Sequence, residues 1–145
     1  MVLRSSLILG PPTPEKCRKQ SFLQFCDGKF ADGCAADFYV DEYRSVVHVA
    51  DVVEVIRRFV HGGATTAPGV YNMGGPERVN RHEVALAVCR HRGYDVTLAR
   101  RAHRSAISAN LVPSPPDITM DSSRVAEVTG LSFATLDEMV RRSFA

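Results

Sequence analysis

Tryptophan is absent from the 145 residues, and lysine nearly so: Lys16, Lys19 and Lys29 stand against fifteen arginines. So few lysines exclude most lysine-based chemistry. No G-x-x-x-x-G-K-[ST] loop can be built. No tyrosine is followed four residues later by lysine, the acid pair of many reductases. The positions four after Tyr39, Tyr43, Tyr71 and Tyr94 hold Tyr43, Val47, Gly75 and Leu98. G-x-G-x-x-G, G-x-S-x-G and H-E-x-x-H are missing as well. No apolar run approaches the ~20 residues that cross a bilayer. The segment Met1–Leu9 has one early charge and no small-residue cleavage site, unlike a secretory leader. The expected location is therefore the cytoplasm, without a membrane partner. A formal charge of +2 is too small to imply a nucleic-acid partner.

Four cysteines, Cys17, Cys26, Cys34 and Cys89, form no C-x-x-C pair and have no histidine at finger spacing. Reduced thiols are expected rather than a disulfide or a metal site. Cys89 reads as a small apolar residue on a helix.

What is present is an alternation of short strands and helices. Val2–Leu9 is dense in β-formers and closes at Gly10-Pro11-Pro12. Residues Pro14 to Asp27 turn helical, with Phe22, Phe25 and Cys26 at i, i+3, i+4. Phe38–Val40 and Ser45–His48 read as strands around a solvated Asp41-Glu42 turn. Val52, Val55, Ile56, Phe59 and Val60 then give one apolar helix face, with Asp51 in the first turn and Gly62-Gly63 at the end. Gly69–Met73 is a strand closed by Gly74-Gly75-Pro76. Asn80 with Glu83 opens a helix to about Arg92. Asp117–Met120 is a further strand, and Ser122–Thr129 a short helix stopped by Gly130. Thr135 with Glu138 caps the last helix, whose apolar face is Leu136, Met139, Val140 and Phe144. The class is α/β, or α+β with mixed strand directions.

Few side chains point to chemistry. His48 reads as a buried or half-buried histidine bonded to a carbonyl, and His61, His82, His91 and His103 as surface or helix-end residues. Arg90, Arg92, Arg100, Arg101 and Arg104 read as a solvated basic edge, because no aromatics interleave Leu98–Arg104 for base stacking. Arg44 and Arg78 each stand alone beside a strand or turn, where an arginine can grip a phosphate through two donors or make a plain surface ion pair.

Four segments in order resemble the C-terminal half of an extended short-chain dehydrogenase/reductase, in particular the dTDP-4-dehydrorhamnose reductase group. That group includes the regulatory β subunit of methionine adenosyltransferase. Val2–Pro11 is similar to the family's sixth Rossmann strand with its arginine and closing Gly-Pro. Tyr43–Val53 resembles its arginine, short strand and aspartate-started helix. Gly69–Arg81 resembles its Tyr-Asn-x-Gly-Gly segment, and Ser114–Ser123 its proline-aspartate strand and aspartate-serine helix start.

The resemblance implies a Rossmann-like extended fold of which residues 1–145 would be the last parallel strands plus a small mixed α/β substrate-binding lobe. The cofactor-binding half would lie outside these residues. It implies a nucleotide-sugar ligand, held at Arg44 and more weakly at Arg78 and Asn72. NAD(P) would serve the full-length family and none would bind this chain alone. No catalytic residue is expected here, since the glycine-rich loop and Tyr/Lys pair belong to the other half. The family's rhamnose reductases carry a sugar-facing tryptophan at the place of Leu7, which leans toward the regulatory or functionally uncharacterised branches. The alternatives are a methionine adenosyltransferase regulatory subunit, whose partner would be the catalytic subunit, and a truncated, non-functional product.

Overall fold

The computed structural model describes residues 1–12, 20–61, 68–104 and 114–145. The expected ends at Gly62-Gly63, the start near Pro14, and Cys17 lie outside the described residues. The architecture is α/β, with parallel strand pairs and, among the described residues, five α-helices.

The first strand is two. β1 (Val2–Ser5) pairs in parallel with β6 (Val70–Met73), and β2 (Ile8–Leu9) pairs in parallel with β5 (Val47–His48). Ser6 donates to the Met73 carbonyl while the Leu7 carbonyl receives Val47, so the ladder changes partner between adjacent residues. The expected Ser45–His48 strand shortens to Val47–His48, and a separate strand precedes it. β4 (Tyr43–Arg44) lies in a three-stranded sheet between β7 (Val79–Asn80), antiparallel, and β9 (Asp117–Ile118), parallel, while Val47 and His48 go to β5.

β3 (Ala36–Tyr39) pairs in parallel with β8 (Ala99–Ala102), a strand that the sequence Ala-Arg-Arg-Ala does not announce. Asp37 faces Arg100 across that ladder, and their side chains meet at 2.8 Å. The basic edge is thus divided among acids: Arg92 on Asp27, Arg100 on Asp37 and Arg104 on Glu42.

The helices are α1 (Phe22–Ala31), α2 (Val49–Val60), α3 (Arg81–Arg92), α4 (Ser123–Thr129) and α5 (Leu136–Ser143). Both expected capping boxes form, Asn80 with Glu83 and Thr135 with Glu138. Each satisfies two otherwise orphaned helix N–H groups. α1 buries Leu23, Cys26 and Phe30 rather than the expected Phe22–Phe25–Cys26 face, leaving Phe25 exposed. α2 buries Val52, Val55 and Phe59, but Ile56 and Val60 are 43% and 70% exposed. The expected single apolar face is thus only partly packed: Val52, Val55 and Phe59 are buried while Ile56 and Val60 at its edge are not.

Two apolar clusters result. One joins α1, α3 and α5 around Leu23, Phe30, Phe38, Val84, Val88 and Met139. The other joins α2 and α4 to β5 and β6 around Val47, Val55, Phe59, Tyr71, Met73 and Val125. Cys26 and Cys89 are buried free thiols, and burial pushes Cys26 up to about 12. No helix among the described residues is long and apolar enough to cross a membrane.

Candidate functional site

β4 sits in the centre of its small sheet, so its side chains are aimed by neighbours on both edges. Tyr43 stands opposite Asn80 on β7 and Asp117 on β9. Arg78 precedes β7, and its guanidinium carbon lies 3.3 Å from the centre of the Tyr43 ring. Its Nε donates to Asp117 Oδ2 at 2.8 Å. The other Asp117 oxygen accepts the Thr119 N–H at 2.9 Å. The Arg78 guanidinium, and then the Thr119 amide, hold the Asp117 carboxyl down to about 2. Arg78 is therefore fixed by an aromatic face and a carboxylate while its head stays half-exposed.

That head lines a cavity of about 520 Å³, within the size range of small-ligand sites. One wall is the Gly74-Gly75-Pro76 turn. Its glycines are required by close approach: a Cβ on Gly75 would stand 2.2 Å from the Val46 carbonyl oxygen, and one on Gly74 2.8 Å from Ser45 Cβ. The opposite wall is the 119–123 segment, tied across by Ser122 Oγ accepting the Gly74 N–H and Ser45 Oγ accepting the Met120 N–H. Leu131 and Phe133 supply apolar surface, and Thr119, Ser123 and Ser132 bring hydroxyls. Asp121 accepts the Ser123 amide, which holds its carboxyl below the usual range. A half-apolar ring with hydroxyls and an anionic substituent at Arg78 suits this lining.

Asn72, on β6, supports the wall: Nδ2 donates to the Asp121 carbonyl at 3.2 Å, while Oδ1 is buried with no hydrogen-bond partner among the described residues. Arg44 is elsewhere. Its guanidinium donates to the Tyr43 carbonyl at 2.6 Å, Ser114 Oγ at 2.8 Å and the Pro115 carbonyl at 3.3 Å, and lies 3.6 Å from Glu42. Arg44 and Arg78 are neighbours on the sheet yet line different cavities.

Glu42 corrects the solvated-turn expectation. It is 5% exposed, because Arg44, Arg81 and Arg104 surround it, and acids are buried only when so paired. Asp41 beside it accepts the Arg104 backbone N–H. His82 is likewise buried, its Nε2 3.1 Å from the Ala99 carbonyl oxygen. His48 engages an amide rather than a carbonyl: Nδ1 accepts the Ala50 N–H. Tyr43 and Asp117 carried no signal, since Asp117 is 39 residues from Arg78 in sequence.

A dinucleotide's diphosphate rests on a glycine turn that runs from a parallel strand into a helix N-terminus; among the described residues β1 and β6 open no helix, and β5 enters α2 through His48 rather than glycine. No group of three or more metal-ligating side chains gathers among the described residues.

The parallel pairs β1–β6 and β2–β5, with the small mixed sheet beside Arg78, are similar in fold to part of several solved Rossmann-like extended short-chain dehydrogenase/reductase structures. The solved structures it resembles are dTDP-4-dehydrorhamnose reductases and related epimerases and dehydratases. One is dTDP-4-dehydrorhamnose reductase from Bacillus anthracis in complex with NADP, at TM-score 0.80 and 17% identity, covering 98% of this chain and 47% of that one. Another is the Bordetella bronchiseptica enzyme WbmH in complex with NAD+, at TM-score 0.73 and 21% identity, covering 98% and 43%. A third is UDP-glucuronic acid 4-epimerase from Bacillus cereus with UDP-glucuronic acid and NAD, at TM-score 0.72 and 13% identity, covering 98% and 43%. The chain thus spans less than half the length of these structures, and at such identities the likeness shows the fold. No family model matches the sequence, and no curated protein does.

Proposed function

We propose that residues 1–145 form the nucleotide-sugar-binding part of an NAD(P)-dependent reductase, epimerase or dehydratase, without turnover by themselves. The observation that carries this reading is the match of 98% of the chain to an NADP-complexed reductase at TM-score 0.80, with an arginine-rimmed cavity on the matched fold. The cofactor, when bound by the whole protein, supplies or removes hydride at the sugar. This chain's own task is to hold the ligand. Arg78, preset by Tyr43 and Asp117, faces a phosphate oxygen with little rotamer entropy left to lose. The hydroxyls of Thr119, Ser123 and Ser132 meet sugar or ribose hydroxyls, and Phe133 offers apolar area.

Calorimetric titration with UDP, UDP-glucuronic acid and a dTDP-sugar tests this. Binding of at least one is expected, weakened by about tenfold in Arg78→Ala, the loss of one charge-assisted hydrogen-bonding group. Absence of binding for all of them at millimolar ligand sinks the reading. So does NADPH-dependent turnover by the chain alone, because its sequence holds no Tyr-x-x-x-Lys pair.

A further inference from the structure

Two hydroxyls tie the walls of the Arg78 cavity together, and each has a proton left to give. Ser45 Oγ accepts the Met120 N–H at 3.0 Å, and Ser122 Oγ accepts the Gly74 N–H at 2.8 Å. Neither O–H finds an acceptor among the described residues. For Ser45 this matters, because the residue is 4% exposed. A donor so buried has lost its water and must be repaid by a partner.

The cavity is where that partner can sit, since Ser45 lines it together with Gly74 and Gly75. A Cβ on Gly74 would stand 2.8 Å from Ser45 Cβ and 3.3 Å from Met120 Cβ. Any larger residue there would crowd the spot at which Ser45 meets the cavity.

Charge is graded from rim to floor. Arg78, with its side chain 51% exposed, puts a cation at the rim. Asp121, next to Ser122, is the other charged residue among those described in the lining, and the Ser123 amide holds its carboxyl below the usual range. A carboxylate there disfavours a second anion. The oxygen that suits the two serine protons is therefore uncharged, as in a ring carbonyl, and phosphoryl oxygens belong at Arg78.

We propose, resting on the nucleotide-sugar reading above, that Ser45 and Ser122 bind a carbonyl oxygen of the nucleobase at the cavity floor while the phosphate stays at Arg78. The ligand enters base first. Each serine keeps its backbone N–H and gives its proton to the base, so the walls bind without rearranging.

The test is calorimetric titration of the full chain with uridine monophosphate and with ribose 5-phosphate, which has the phosphate and the sugar but no base. Uridine monophosphate is expected to bind more tightly. Ser45→Ala should weaken it by about fivefold, the worth of one neutral hydrogen bond, and leave ribose 5-phosphate unchanged. Arg78→Ala should weaken both. The parent chain gives a second readout that needs no variant. The Met120 amide, bonded to Ser45 Oγ, should shift in an NMR titration with uridine monophosphate and stay still with ribose 5-phosphate. Equal affinity for the two ligands overturns the proposal, and so does a Ser45→Ala loss that is absent or shared by both. A Met120 amide indifferent to the base does the same, leaving water alone on the serine protons. The two readings fail separately. Nucleotide-sugar binding through Arg78 that ignores the base, or that occurs where uridine monophosphate does not bind, removes only the floor site. Binding of neither these ligands nor any nucleotide sugar removes both.

Discussion

His48 ends β5 and caps α2 with a single ring. Nδ1 accepts the Ala50 N–H at 3.2 Å, so the proton of the neutral ring sits on Nε2, which is buried with no partner among the described residues. Burial lowers its pKa from 6.5 and outweighs the nearby Asp51 carboxylate, with Arg142 lowering it further. The folded state therefore favours the neutral ring, and protonation costs the cap its acceptor. Because the folded pKa lies below the unfolded one, this stabilisation is complete above 6.5 and drains away as the pH falls toward the lowered folded value. His48→Asn keeps a cap acceptor without a titrating ring. Urea midpoints measured between about pH 5 and 7.5 should fall with pH in the parent and fall less in the variant. Equal slopes would show that His48 does not set this dependence. The histidine's burial was legible from its place before a strong helix. Its direction was not, because the competing acceptor and donor lie on the local backbone, and only the turn geometry chooses between them.

At the scale of elements, local signals were read correctly where they lie within a few residues of each other. The capping boxes at Asn80–Glu83 and Thr135–Glu138 span three residues and both form. The strand β8 depends on a partner 63 residues away through Asp37–Arg100, so no window over Ala99–Ala102 could reveal it. Glu42 hides for the same reason: its three arginines come from β4, α3 and the end of β8. Two glycines separate local from tertiary demands. Gly28 lies inside α1 with nothing within 4 Å of an added Cβ, whereas Gly93 closes α3 at φ 74°. Gly28→Ala should stabilise by ~0.5–1 kcal/mol, since the change removes backbone freedom from the unfolded chain and adds helix propensity. Gly93→Ala should cost ~1 kcal/mol or more, because an L side chain is strained in the left-handed region. Opposite shifts of the thermal midpoint check both. Matching signs would mean that one of the two helix assignments is at fault.

On the whole molecule, exposed apolar side chains are not scattered. Met1, Val2, Ile8, Val49, Val53, Ile56, Val60 and Val70 are exposed and lie on or beside β1, β2, β6 and α2, whereas among the described residues only Phe25, Val96 and Ile118 are large exposed apolar side chains elsewhere. Val49, Val53, Ile56 and Val60 repeat at helical spacing along the side of α2 next to its packed residues, about 100° round the helix from them. Gly10 lets β2 run against the start of that stripe, where a Cβ would meet Val49 Cγ1 at 2.6 Å. Alongside it, β1 has β6 on one edge and, among the described residues, no ladder on the other. An open parallel edge next to an apolar helix stripe is the surface on which an α/β layer packs, and left bare it drives association. In the nucleotide-sugar reading that layer is the cofactor-binding part. The isolated chain should then self-associate through this face, with an apparent mass that rises with concentration in sedimentation velocity. Ile56→Glu with Val60→Lys places a favourable i, i+4 pair on the helix while removing the stripe. This double variant should shift the distribution toward monomer with an unchanged far-ultraviolet circular dichroism spectrum. A parent chain that stays monomeric at every concentration would mean that the face is at ease in water, and the expected layer would lose its support.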